Sequence, residues 1–429
     1  MSIYLDSFGR PLIAVTGIGL VTSLGQGKEV NWTRLTAGES GIHNIGRFPT
    51  TGLNTRIGGT VEFLSAEYND TKNDTETVTR ALAFAAADEA LAECGLPLGD
   101  FCGPLFLAAP PVELEWPQRL ALAANRQLEK PTTYKSLLDA ARSMEPVAYF
   151  EATQFATIAD TMADRYGVTG VPITLSTACA SGATAIQLGV EAIRRGETDR
   201  ALAVGADGST TAEALIRFSL LSALSTQNEF PQKASRPFSK NRSGFVMAEG
   251  AAALVLETLE SATKRGAQIY GLILGCGDKA DDFHRTRTSP DGGPAIAAVR
   301  AALNDAGLDE TGIDYVNAHG TSTPENDKME YLALSTVFGE AIARIPVSSN
   351  KSMIGHTLSA AGAVEAVISL LSLQNGILTP TINYDDPDPA IPLDVVPNVA
   401  RKAQIRTVLS NSFGFGGQNT CLVLGRNPL

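Results

Sequence analysis

Positive charge is what this 429-residue sequence has least of: 34 lysines and arginines stand against 46 aspartates and glutamates, for a formal net charge of −12. A nucleic-acid partner or an anionic membrane surface calls for the opposite balance, so neither is expected. Histidine is scarce, with only His43, His284, His319 and His356, and no HxxxH pair marks a zinc helix. The five cysteines (94, 102, 179, 276 and 421) are odd in number and lack CxxC spacing. That argues against a disulfide framework or a zinc site and for a reducing compartment. No uninterrupted apolar run approaches the ~18 residues of a membrane span. The N-terminus MSIYLDSFGRPLIAV has no basic start leading into an apolar run. These absences lead us to expect a cytoplasmic protein with no metal and no membrane insertion. The strand expected over 12–17 runs into Gly17-Ile18-Gly19, but Thr22 stands where a dinucleotide fingerprint needs its third glycine.

With 44% hydrophobic residues, the chain has material for two ordinary domains or one large two-lobed one. Its most informative stretch is Pro172 to Arg194, PITLSTACASGATAIQLGVEAIRR. Ile173 and Leu175 predict a short buried strand, residues 177–182 a small-residue turn, and Ile186, Val190 and Ile193 a helix by their spacing. A thiol at a helix start meets unpaired N–H groups and the positive end of the helix dipole, which favour thiolate. Cys179 therefore reads as a nucleophile, with a buried structural cysteine as the alternative.

Further strands are expected over 105–109, 201–208, 251–257, 268–275 and 313–317, and helices over 80–94 and 292–307. The acidic segment 68–79 reads as exposed, and 112–150 as a helical insertion. Ile345 to Leu371 echoes the Cys179 stretch: an apolar strand, Ser-rich polar residues, a small-residue helix start, then Val-Glu-Ala at the helix centre (190–192 and 364–366). Such a repeat implies two α/β halves, 1–267 and 268–429, whose strand ends meet at one site.

His43 sits in a turn-like setting and reads as structural. His319 and His356 each follow a strand and neighbour a glycine, where ligands of α/β proteins sit; satisfied loop histidines are the alternative. Lys351 with Asp327 and Glu330 reads either as surface ion pairing or as a buried Lys–Glu pair holding His356 in one tautomer. Residues 411–419, NSFGFGGQN, read as a flap donating a backbone N–H, with an aromatic ring able to gate a pocket.

TACASG, NAHGTSTPENDK, SSNKSMIGHT and NSFGFGGQN, in this order, resemble the β-ketoacyl-acyl-carrier-protein synthases of the type I/II group, most of all bacterial synthase II. The resemblance runs from VTGIG at 15–19 to the strand expected at 420–425. It implies an α/β, thiolase-like fold: duplicated βαβαβαββ halves in a five-layer α-β-α-β-α sandwich, acting as a homodimer. It also implies decarboxylative Claisen condensation of an acyl chain on Cys179 with malonyl-acyl-carrier protein, giving a 3-oxoacyl chain two carbons longer. No cofactor is expected beyond the phosphopantetheine on which an acyl-carrier protein delivers the chains. By this resemblance Cys179 is the nucleophile, and His319 and His356 promote decarboxylation and stabilise the enolate. Lys351 supports them, with Glu330 as its acidic partner. The N–H groups of Cys179 and Phe415 form the oxyanion hole, Phe415 and Gly416 belong to the gate, and Asp281 matches an acidic residue of a second mobile loop. Asp327, Phe413 and Asn411 give structural support. A non-catalytic or decarboxylating partner subunit of a polyketide-type synthase is the alternative, and Cys179 argues against it.

Two departures from the family pattern carry expectations. Residues 108–113, AAPPVE, and 145–157, EPVAYFEATQFAT, differ where the family lines its acyl pocket, which predicts an altered acyl preference. The basic patch for an acidic carrier is thin, with acid-rich 68–79 and Gln227 at places often basic. Either Lys233, Arg236 and Arg242 take over, or a dedicated carrier is used.

Overall fold

The computed structural model describes residues 3–65, 67–68, 74–96, 99–124, 133–135 and 147–427 of the chain. Its strands of three or more residues come in two sets. The first holds β1 (Ile13–Thr22), β2 (Leu105–Ala108), β3 (Ile173–Leu175), β4 (Arg200–Asp207) and β5 (Gly250–Thr258). The second holds β6 (Gly271–Ala280), β7 (Tyr315–Asn317), β8 (Pro346–Ser348), β9 (Thr407–Phe413) and β10 (Gln418–Gly425). In space the first runs β3-β2-β4-β5-β1 and the second β8-β7-β9-β10-β6, which is the same order counted from each set's first strand. Strand directions match as well. β2 is parallel to β3 and β4, as β7 is to β8 and β9, and the two later pairings of each set are antiparallel. A short pairing of Ile13–Val15 with Gly271–Ile273 joins the halves into one mixed sheet.

The helices used below are α1 (Thr75–Cys94), α2 (Thr157–Tyr166), α3 (Ser181–Arg194), α4 (Ala212–Leu220), α5 (Gly293–Ala306), α6 (Pro324–Phe338) and α7 (Ala361–Asn375). α3 and α7 pack on each other between the two half-sheets. α1 and α2 cover the outer face of the first, and α5, with α6 against it, the outer face of the second. The stack is therefore helix–sheet–helix–sheet–helix, as the resemblance implied. The largest apolar cluster fills the middle, joining Ile186 and Val190 of α3 with Val364 and Ile368 of α7 and Leu254 of β5. Residues Leu358–Asn375 are long and apolar enough to cross a membrane, and here they are the buried core around α7.

Two expectations are corrected. Of the segment 68–79 expected to be exposed, 69–73 lie outside the described residues, and 75–79 are the buried first turn of α1, capped by Asp74, which accepts from the Thr77 N–H at 3.0 Å. A run of Thr and Glu reads as polar surface, yet Glu115 accepts from both the N–H and the hydroxyl of Thr75, and the Thr79 hydroxyl accepts from the Gly208 N–H at 3.0 Å. β3 is not a buried strand either: Ile173 is 45% exposed, because β3 is the free edge of its half-sheet. Of the insertion expected at 112–150, helices Trp116–Ala124 and Val147–Thr153 are seen, and 125–132 and 136–146 lie outside the described residues.

The central layer depends on two glycines. A methyl group on Gly182 of α3 would lie 2.5 Å from the Ala363 nitrogen of α7, and one on Gly362 would lie 2.5 Å from the Ala183 nitrogen. Neither neighbour is the flexible end of a side chain, so the helices must part. Gly182→Ala or Gly362→Ala should therefore cost about 1–3 kcal/mol or more, read as a lowered urea midpoint at unchanged slope.

Candidate active site

Cys179 stands where β3 gives way to α3. The preceding Ala178 has φ 50°, a left-handed conformation that costs a residue with a Cβ about 1–2 kcal/mol. Ser181 holds this elbow closed: its hydroxyl donates to the Ala178 carbonyl at 2.6 Å and accepts from the Thr177 N–H at 2.8 Å. The second half repeats the elbow, with Leu358 at φ 46° ahead of Ser359.

His319 follows β7, and His356 follows the four-residue helix Lys351–Ile354. The two rings meet edge-on with centroids 5.2 Å apart. The Cys179 sulfur and a nitrogen of each ring lie within 4.8 Å of one another. Lysine only donates, so the Lys351 ammonium, 3.3 Å from His319 Nδ1, makes that nitrogen the acceptor and leaves the ring proton on Nε2. The Leu358 N–H does the same for His356, donating to Nδ1 at 3.2 Å. Burial, then the Lys351 charge, hold both imidazoles well below the ordinary value of 6.5, and His356 adds to the effect on His319. Both are neutral at physiological pH, and each has an Nε2–H to donate.

Three expectations about this cluster change. Burial pushes the Cys179 thiol up to about 11, offset only in part by the Phe415 N–H and the Lys351 charge, so the resting sulfur is a thiol and not a thiolate. Desolvation of a buried anion outweighs the helix start. Second, the acidic partner of Lys351 is Glu365 of α7, in a fully buried ion pair, and not Glu330. Burial lifts Glu365 to about 7 against the pull of Lys351. Third, what holds His356 in its tautomer is the Leu358 N–H and not the Lys–Glu pair.

Glu330 has a different task. Its two oxygens accept from the His319 and Gly320 N–H groups at 2.8 and 2.7 Å, and Asn411 Nδ2 donates to it at 3.0 Å. It fixes the backbone that carries His319. Asp327, pushed up to about 6 by burial, accepts from the Phe238 and Ser322 N–H groups and faces Arg242. Arg242 is thereby taken out of any docking role, since Asp388 holds its other side at 2.7 Å. Phe413, at the end of β9, meets the His319 ring edge-on at 5.9 Å. His43 is structural, bonded to the Gly41 carbonyl and the Thr60 hydroxyl.

The β9–β10 hairpin brings Phe415 to the cavity wall that Cys179 shares, where the Phe415 N–H favours the ionised sulfur. Asp281 lies against this hairpin: its N–H donates to the Gly417 carbonyl at 2.7 Å. Gly417 has φ 90°, and a Cβ there would come within 1.9 Å of the Asp281 carbonyl oxygen, so only glycine fits. Cys179, His319, His356, Phe413, Phe415, Gly416 and Asp281 line one cavity of about 930 Å³. Lys351, Glu330, Asp327 and Asn411 are buried behind it. Of the residues expected to alter the acyl pocket, 110, 111 and 113 line the same cavity, whereas none of the described residues 147–157 does.

Sequence reasoning missed Ser181, which latches the elbow, and Glu365. The signal for Glu365 was a single acid within the apolar helix 361–373, a place where charge survives only if paired. A thiol and two imidazoles could also hold a metal ion, but the Lys351 ammonium against His319 disfavours a cation there.

Residues 11–262 match the family model of the β-ketoacyl synthase N-terminal domain, and residues 270–385 that of the C-terminal domain. The chain is 37% identical over 422 residues to 3-oxoacyl-[acyl-carrier-protein] synthase 2 of Vibrio cholerae, covering 96% of this chain and 99% of that relative. It is 35% identical over 425 residues to the ketoacyl synthase alpha subunit of the tetracenomycin polyketide synthase of Streptomyces glaucescens, covering 96% and 97%. Among solved structures, the ishigamide ketosynthase/chain length factor superposes with a TM-score of 0.85 at 33% identity, covering 97% of this chain and 100% of that one.

A resting thiol with its pKa near the value of about 11 predicts how Cys179 reacts with iodoacetamide. The alkylation rate, followed on the Cys179 peptide, should rise about tenfold per pH unit from about pH 7 to 9 without levelling off. A plateau near neutrality would reveal a resting thiolate.

Proposed function

The chain belongs to the β-ketoacyl synthase family, and we propose how its residues carry out that family's condensation. The protein is an acyltransferase that extends an acyl chain with malonyl-acyl-carrier protein, leaving a 3-oxoacyl chain two carbons longer. The observation that carries the residue assignment is a buried thiol beside two neutral imidazoles that both present Nε2–H.

In the first half-reaction the Cys179 sulfur attacks the thioester carbonyl of the acyl carrier. The S–C bond forms, the carrier's thiolate leaves, and the Cys179 proton passes to it. The N–H groups of Cys179 and Phe415 receive the oxyanion. Since the thiol is protonated at rest, deprotonation accompanies attack, as the departing thiolate needs the same proton. In the second half-reaction the malonyl thioester loses CO2, and the electron pair left behind becomes an enolate. The His319 and His356 Nε2–H groups hydrogen-bond its oxygen; a preorganised donor of this kind contributes about 10²–10³-fold in rate. The enolate carbon attacks the acyl group on Cys179, the C–S bond breaks, and the departing thiolate takes up one proton from solvent to restore the resting thiol. Lys351, paired with Glu365, keeps the His319 tautomer correct for this task. Apart from the one proton taken from solvent, each step uses only protein groups and the two carrier-bound substrates.

A carrier protein as partner is supported by a related structure, a type II polyketide acyl-carrier protein in complex with its ketosynthase. A second copy of the chain as partner is supported by the free edge strand β3 and the exposed Val171, Ile173 and Leu220. Division into residues 1–267 and 268–429 is supported by the repeated strand order. A cytoplasmic location is supported by the cysteines, all free where described.

Incubation with acyl-carrier proteins of graded chain length should add the acyl mass to the intact protein, and Cys179→Ala should abolish it. Malonyl-carrier protein should then discharge it as a product two carbons longer. Absence of acylation with every carrier would favour the partner-subunit reading. Sedimentation velocity should give twice the chain mass, and Ile173→Asp with Leu220→Asp should shift it toward the single-chain value.

A further inference from the structure

An enzyme of net charge −12 must still receive a phosphorylated carrier arm, and two of the arginines near the site are already occupied. Arg242 is held between Asp388 and Asp327, and Arg217 is paired with Glu113. Arg285 and Arg287 are different. Both line the cavity that ends at Cys179, both are exposed, and neither side chain has a hydrogen bond or ion pair among the described residues. They stand two residues apart on the segment 281–289, with Glu325 of α6 on another part of the cavity wall.

That segment is tied down. The buried Asp281 accepts from the Phe283 N–H at 3.0 Å through one oxygen and from the Ser289 N–H at 2.8 Å through the other. Its carboxylate is thus spent inside the segment and leaves the two guanidinium groups unneutralised. Two backbone bonds then fasten the segment to the Phe415 hairpin: Asp281 N–H to the Gly417 carbonyl at 2.7 Å, and Gly416 N–H to the Arg285 carbonyl at 2.8 Å. The arginine pair is therefore anchored to the hairpin whose Phe415 lines the cavity together with Cys179.

We propose that Arg285 and Arg287 form the subsite for the phosphodiester of the carrier's phosphopantetheine arm, on the wall of the cavity that holds Cys179. The assignment rests on the condensing-enzyme reading. Guanidinium groups match phosphate oxygens in pairs, and their anchoring to the Phe415 hairpin fixes how far the phosphate sits from the nucleophile. It also answers the thin basic patch of the sequence: the contact is made with the arm and not with the carrier's outer surface.

The test compares one acyl group on three donors: carrier protein, free phosphopantetheine, and pantetheine without phosphate. For Arg285→Gln with Arg287→Gln, kcat/KM on the phosphopantetheine thioester relative to the pantetheine thioester should fall about 10- to 100-fold, the range of one or two charged hydrogen bonds. Arg285→Lys with Arg287→Lys should recover part of it, and the carrier-borne substrate should follow the phosphopantetheine one. A loss confined to the carrier protein would place the pair on the carrier's surface and overturn the subsite. An equal loss on all three donors would mean a structural role, and no change would mean no role; either overturns it. Failure of the unaltered protein to be acylated by any donor would instead count against the condensing-enzyme reading itself.

Discussion

The contact between α3 and α7 through Gly182 and Gly362 is the constraint on which the rest of the structure depends. Each glycine lets the opposite helix backbone come within van der Waals range, so two half-sheets can share one thin central layer. Because the halves follow the same strand order, the elbow of each half is brought to the same place. One elbow carries Cys179, and the other carries Ser359, three residues after His356. A wider central layer would leave the thiol and the imidazoles in separate clefts.

Electrostatics then divides the labour. Burial alone would hold the thiol protonated and the histidines neutral, and the Lys351 ammonium pulls the two kinds of group in opposite directions: it eases the thiol toward ionisation while pressing the imidazoles further from it. Glu365 makes this charge tolerable in a dry interior. The outcome is a pair of hydrogen-bond donors that cannot become competing acids near neutrality. That suits stabilisation of an enolate better than proton abstraction.

The two segments at the cavity, 281–289 and the β9–β10 hairpin, are held to each other by backbone bonds more than by side chains. Glycine at 417 is required because the Asp281 carbonyl occupies the space a Cβ would take. Sequence variation on the outer side of 281–289 is therefore free to alter what the cavity wall recognises without moving the Phe415 N–H from the sulfur.

Much of this was legible in the sequence. The strand–turn–helix around Cys179, its echo after Ile345, and the glycine beside each of His319 and His356 are local patterns, and local sterics and apolar periodicity decide them. Pairing was not legible. That Lys351 meets Glu365 and leaves Glu330 to the His319 backbone depends on which face of α7 turns toward β7 and β8, and the fold alone sets that. Nor could the protonation of Cys179 be read locally. A helix start argues for thiolate, and only tertiary burial supplies the larger desolvation that reverses it. The sequence by itself determined the architecture and the identity of the reacting groups; the tertiary structure decided their partners and charge states, because both depend on contacts between residues far apart in the chain and on the water those contacts exclude.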